Sequence, residues 1–290
     1  MIKIKNENHN LGAYKIQCIF VFHIMNNIKS FDENPIYALH FNCLSHFSFL
    51  FDRCTIIITV DDLNNPLVNA AKHKFSIMFI NSDLQIIVEK NDSLQREGKY
   101  YNKYIIEKLV NYNDYEHDDN ELTFFGHTKG VQNYVNGHDV SLWVASMYYF
   151  CLSFFDYVDN FIIHNDKLCW GFPCDNYNEI RYAGSFQVFS FKKIHQYIEK
   201  NNIDVYHKLL DNTVFSNIRW CAETFLPYVI EKQYFAYPYS DRLKPINFGF
   251  GDKSYDYYNG DDYHTLMQHY LPYTIYNELM VFYENICNTQ

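Results

Sequence analysis

Apolar residues along this chain fall into short runs separated by polar turns, and the runs alternate between a strand period and a helix period. Lys15 to Met25, KIQCIFVFHIM, is β-branched and aromatic and too apolar for a surface strand, so it reads as a central parallel one, ending in Asn26-Asn27. Pro35 opens a segment to Phe51 in which Tyr37, Leu39, Phe41, Leu44, Phe47 and Leu50 are spaced for a helix burying one broad face. Cys54 to Val60, CTIIITV, predicts the next strand, which stops at Asp61-Asp62, and Pro66 to Lys74 a short helix. Leu84 to Val88 predicts a third strand, ending in Glu89-Lys90-Asn91-Asp92, with a helix from Leu94 to Leu109 behind it. An acidic, irregular loop over Asn113 to Asn120 precedes a fourth strand at Leu122 to Phe125.

Strands alternating with helices at this spacing imply an α/β fold, a mostly parallel sheet covered on both faces. Further on, Ser141 to Asp159 predicts a buried helix, Lys167 to Phe172 and Phe186 to Phe189 predict strands, and Phe191 to Asn201 and Asn217 to Glu231 predict helices. After Gln233 the pattern weakens. The stretch to about Tyr270 is dense in Tyr, Asp and Gly and reads as long loops, closed by a final helix near Thr274 to Cys287. With no repeat and no low-complexity linker, the expectation is one domain over 1–233 and a Tyr-rich C-terminal extension or lid over 234–290 packed on it.

Composition narrows the function classes. A chain of 290 residues with 48% hydrophobic residues can bury a substantial core. Its formal charge of −10, with no clustered Lys and Arg, argues against generic nucleic-acid binding. The eight cysteines lie scattered in apolar segments without a CxxC pair or zinc spacing, and read as buried free thiols of a reducing compartment. MIKIKNENHN lacks the apolar core of a signal peptide and no later apolar run is long enough to span a membrane, so the expectation is a soluble, cytoplasmic protein.

The chemistry gathers at strand ends. In ELTFFGHTKGVQN, Glu121 to Asn133, an apolar run stops at Gly126 and a polar turn follows with His127, Thr128, Lys129 and Gly130. Groups at the carboxyl ends of parallel strands face the crevice where ligands bind, and the two glycines let the backbone approach one. Asp61-Asp62, Asn91-Asp92 with Arg96, and His127-Thr128-Lys129 thus form three polar clusters at one expected sheet edge. Such a set suits a nucleotide: carboxylates and amides for base and ribose, cations for the diphosphate. The alternative is ordinary loop polarity. The sequence contains no G-x-G-x-x-G after the first strand, no G-x-x-x-x-G-K-[ST], no G-x-S-x-G and no H-E-x-x-H, and its 13 histidines fall singly.

The order of these features resembles the GT-A glycosyltransferases, which transfer a sugar from a nucleotide-sugar on a Rossmann-like sheet. TIIITVDDLNN resembles the strand of that superfamily that ends in acidic residues near the base, and IIVEKNDSLQREGKYYNKYI its following polar loop and helix. FFGHTKGVQN occupies the slot of the D-x-D strand and resembles the HTKG signature of a branch of glycosyltransferase-like proteins from bacteria and viruses. RYAGSFQVFSFKKI, with Gly184 and Ser185, resembles the acceptor strand, and WCAETF, with Trp220 and Glu223, the segment bearing the catalytic carboxylate. The resemblance covers Lys15 to Glu231.

It implies a GT-A-like sheet and transfer of a sugar from a nucleotide-diphosphate-sugar to an acceptor hydroxyl, on a glycan or, for a phage- or virus-encoded enzyme, on a modified DNA base. Asp61, Asp62 and Asn91 would hold base and ribose. Arg96, His127 and Lys129 would hold the diphosphate, Lys129 also stabilising the departing charge. Glu223 would deprotonate the acceptor, and Gly184, Ser185 and Trp220 would line its site. The alternative for Glu223 is a solvent-facing residue of an amphipathic helix. Tyr255, Tyr257, Tyr258 and Tyr263 could stack on sugars or form a partner surface. His127 and Lys129 stand where the superfamily holds a metal on carboxylates, and a protonated lysine cannot ligate. Either Lys129 replaces the metal and no cofactor is required, or Mn2+ or Mg2+ enters through His127 with carboxylates such as Asp261 and Asp262, or activity is lost. A non-catalytic nucleotide-sugar-binding or assembly module on the same fold is the rival reading.

Overall fold

The computed structural model describes residues 15–91, 96–115, 121–128, 130–132, 139–153, 167–176, 179–205, 225–226, 229–231, 235–236, 246–247 and 260–288. Its centre is β1 (Lys15–Ile24), a strand whose interior alternates between two buried faces. Cys18, Phe20, Phe22 and Ile24 enter one apolar core, and Ile19 and Val21 enter the other. A strand apolar on both faces is stable only with helices on both sides, which is why this run occupies the middle of a sheet.

α1 (Pro35–Phe47) starts where the Asn34 side chain accepts from the Ile36 amide at 3.1 Å and Pro35 supplies a preformed first turn. It leads to β2 (Arg53–Val60), α2 (Leu67–Met78) and β3 (Asp83–Lys90). α3 (Arg96–Tyr101) then runs through a π-helical turn (Asn102–Ile106) into α4 (Glu107–Val110), and β4 (Glu121–His127) follows. α5 (Ser141–Leu152) is buried nearly all round, as its apolar composition requires. β5 (Cys169–Asn176) and β6 (Glu179–Phe189) pair antiparallel, with the register shifted between Gly171 and Pro173, and α6 (Phe191–Lys200) follows.

The described strands form one eight-stranded sheet of order β3-β2-β1-β4-β6-β5-β7, with β7 (Phe235–Ala236) and β8 (Ile246–Asn247) both parallel to β5. β1 to β4 are mutually parallel, while β6 runs antiparallel to β4. This is the mostly parallel, helix-flanked sheet that the alternation of elements predicts. On its first face lie α1, α2, α5 and the two C-terminal helices, α7 (Gly260–Tyr270) and α8 (Tyr273–Cys287). α3, α4, α6 and Phe225, Leu226, Val229 and Ile230 lie on the second.

Several boundaries differ from the sequence reading. Gly260–Tyr270 is helical and not loop, because Tyr263, Met267 and Leu271 recur at four-residue spacing and are buried in the first core. Tyr263 is 1% exposed, so it packs beside α5 and is not available to stack on a sugar. α8 is tied to α1 by the Asn42 amide, which donates to the Ile286 carbonyl at 2.9 Å, and by ring contacts of Phe282, tilted against Phe47 and edge-on to His46. Among the described cysteines, Cys18, Cys43, Cys54, Cys151 and Cys169 are buried free thiols, whereas Cys287 is exposed. No helix among the described residues is long and apolar enough to cross a membrane.

Candidate functional site at the carboxyl edge of the sheet

The carboxyl ends of β1 to β4 point to one edge. From β1 the chain returns through α1 to β2 on one side, and from β4 it passes through α5 toward β5 and β6 on the other. The strand order reverses at the β1/β4 boundary, with β2 and β3 on one side of β1 and β6 and β5 beyond β4, and ligand-binding groups of an α/β sheet collect beyond its carboxyl ends at such a boundary.

Three strand ends converge beside it on one carboxylate. Asp61, just past β2, accepts from the Asn91 side-chain amide beyond β3 at 2.9 Å, and its other oxygen accepts from the Asn26 amide beyond β1. Asn26 and Asp61 are exposed and Asn91 is half-buried. Asp62 is used differently: its carboxylate accepts from the Asn64 amide at 3.0 Å and its carbonyl from Asn65, closing the turn into α2. The two adjacent aspartates thus divide, Asp61 facing the cluster and Asp62 shaping the loop.

At the boundary itself, Thr128 bridges β4 to β1. Its amide donates to the Val21 carbonyl at 3.0 Å and its hydroxyl accepts from the His23 amide at 2.9 Å. The Tyr37 hydroxyl of α1 donates to the His23 carbonyl at 2.9 Å and accepts from the Met25 amide at 3.0 Å. The His23 ring lies with Nδ1 3.1 Å from the hydroxyl of its register partner Thr59. One strand further, in register with Thr59, Glu89 pairs with Lys103 at 2.9 Å and Lys99 at 3.6 Å. Burial raises the Glu89 pKa, but the hydrogen bond and charge of Lys103, with those of Lys99, outweigh it and hold the carboxyl below its ordinary range.

The expected turn after Phe125 begins later than the sequence reading places it. Gly126 and His127 lie inside β4, and His127 is 7% exposed with its ring 6.0 Å from that of Phe186. Gly126 is not a ligand-approach glycine: a Cβ there would come within 3.1–3.2 Å of Phe124, Phe186 and Phe20, so the rings pack directly on the strand backbone. Gly130 does make the turn. Its φ of 88° is open chiefly to glycine, and a Cβ would meet Val140 at 2.7 Å. The loop is held there by the Asn34 amide, which donates to the Val131 carbonyl at 2.9 Å.

Lys129, Trp220 and Glu223 lie outside the described residues, as do Tyr255, Tyr257 and Tyr258. Arg96 begins α3, Gly184 and Ser185 lie in β6, and Asp261 and Asp262 lie in the first turn of α7, all placed by their backbone. Among the described residues, no group of three His, Cys, Asp or Glu side chains converges as a metal site. Asn26, His23 and Thr59 were not singled out as site residues from sequence, whereas Thr128 belonged to the third polar cluster. The available signal was a histidine at the penultimate position of an otherwise apolar central run, and asparagines directly after it.

No protein-family model matches this sequence, and no curated protein matches it. Among solved structures, it is similar to 4-diphosphocytidyl-2C-methyl-D-erythritol synthase from Anaerococcus prevotii, at 10% identity and a TM-score of 0.41, over 87% of this chain and 97% of that one.

Proposed function

We propose that the protein is a glycosyltransferase whose nucleotide-diphosphate-sugar donor lies across the carboxyl edge of β1 to β4. The observation that carries this reading is the joining of Asn26, Asp61 and Asn91, from three strand ends, through the two oxygens of one carboxylate. A carboxylate flanked by amides offers acceptors and donors side by side, which suits ribose hydroxyls and the edge of a base. The loop from Thr128 to Gly130 then receives the diphosphate, with Lys129 and Arg96 as its cations and Lys129 standing in for a metal. Glu223 acts as the base on an acceptor hydroxyl, and Gly184, Ser185 and Trp220 are assigned to the acceptor.

Thermal unfolding with uridine or guanosine diphosphate tests the binding half. Ligand at about 100 times its dissociation constant raises stability by roughly 2.7 kcal/mol. No shift with any nucleoside diphosphate at millimolar concentration removes the proposal. Donor turnover that survives EDTA and falls in Lys129→Ala by about 2.7–4 kcal/mol of transition-state stabilisation supports the lysine's role. Abolition by EDTA with rescue by manganese assigns the role to a metal. Nucleotide binding without turnover of any donor identifies a non-catalytic module.

A further inference from the structure

β1 is buried along its length except at its first residue and at His23. A polar, titratable ring near the end of a central strand is costly to desolvate, so its position at the β1/β4 boundary calls for a use. Its surroundings hold it still. The backbone on either side is fixed by Thr128 and Tyr37, and the ring by Thr59, which is 2% exposed. Groups locked in this way before a ligand arrives are the ones that bind it without reorganising.

We propose that His23 contacts the donor diphosphate at the carboxyl edge of β1 and β4, with Thr59 as the residue that positions its ring. This rests on the nucleotide-sugar reading and goes beyond it by naming the strand residue that meets the phosphates. The 3.1 Å contact allows either direction; in the proposed tautomer Nδ1 accepts from the Thr59 hydroxyl, the neutral ring carries its proton on Nε2, and Nε2–H donates to a phosphate oxygen. His127 is not equivalent, because it is enclosed in β4 against Phe186.

Three probes separate the two ideas: uridine, uridine diphosphate and inorganic pyrophosphate, each titrated against the full chain by calorimetry. His23→Gln is expected to weaken uridine diphosphate and pyrophosphate about tenfold, as for loss of one hydrogen bond to a charged group, and to leave uridine within about twofold. Imidazole 15N spectra of the wild type, with the His23 signal assigned by its loss in the variant, are expected to show an Nε2–H tautomer that shifts on adding pyrophosphate. Thr59→Val is expected to change that tautomer signature. Should His23→Gln fold poorly, the His23 signal is assigned by its loss in His23→Asn, and the wild-type spectra then decide. Equal weakening of uridine and uridine diphosphate, or a His23 signal indifferent to pyrophosphate, overturns this inference and leaves the nucleotide reading standing. Absence of binding by the wild type to any nucleoside diphosphate overturns both.

Discussion

At the amino edge of the sheet, Arg53 reaches across β1 to Glu121, with 2.7 Å between Nη2 and the carboxylate, and Asp52 accepts from the Ile16 amide at 2.9 Å. At the carboxyl edge, Asp61 accepts from the neutral amides of Asn26 and Asn91. The Arg53–Glu121 pair matches charge to opposite charge and ties β2 to β4 over the strand between them. The Asp61 arrangement orients a carboxylate without neutralising it by those contacts, and leaves it exposed. Neutralised charge fixes register, whereas an oriented, solvated carboxylate remains available to an incoming hydroxyl or N–H. The two edges therefore separate what holds the sheet together from what it presents.

Substitutions can break that separation, and the largest effect is expected where the carboxyl-edge loop is anchored. Gly130→Ala places a side chain at positive φ and against Val140, and is expected to cost about 2–4 kcal/mol in denaturant unfolding while also abolishing the nucleotide response. Asp61→Ala should show the opposite balance. Nucleoside diphosphate affinity should fall by about 1.5–3 kcal/mol in calorimetry, and the melting temperature should stay near that of the wild type. Loss of stability as large as the loss of affinity would make the cluster a structural clasp.

At the amino edge, Arg53→Met should lower stability by about 1 kcal/mol, because the arginine is 40% exposed, and should leave nucleotide affinity unchanged. A change in affinity there would erase the distinction between the edges. The smallest effect is expected from Glu89. Its folded pKa is depressed, so its stabilising contribution is present above the unfolded value of about 4.3 and is lost as pH falls through the lower, folded value. Lys103→Met should remove most of that acid-side dependence at a cost below about 1 kcal/mol near neutral pH, measured by urea unfolding from pH 3 to 7.

How much of this was legible in the chain depends on the range of the interaction concerned. The apolar runs of β1, β2 and β4 and the helical spacing after Pro35 were readable because strand and helix periods, and proline at a first helical turn, act within a few residues. Their alternation sufficed for a mostly parallel sheet covered on both faces, and the polar strand ends marked the carboxyl edge at which Asn26, Asp61 and Asn91 meet. The helix at Gly260–Tyr270 escaped notice because its buried stripe of Tyr263, Met267 and Leu271 is thin and diluted by Asp, His and Thr; packing against α5 and α8 decides it.

Only the tertiary structure decided that Asp61 faces Asn26 and Asn91 while Asp62 turns to its own loop, since those partners are 35 and 30 residues away. It also decided that Gly126 is a packing glycine and Gly130 a turn glycine, which depends on the rings of Phe20 and Phe186 and on Val140, all distant in sequence from the glycine they meet or outside its local pattern. His23 belongs with these cases. In the chain it is one polar residue in an apolar run, and it becomes a positioned group only when β2 brings Thr59, α1 brings Tyr37 and β4 brings Thr128 to its three sides. Local preference writes the elements; the long-range contacts that assign each side chain its partner exist only once the elements are packed.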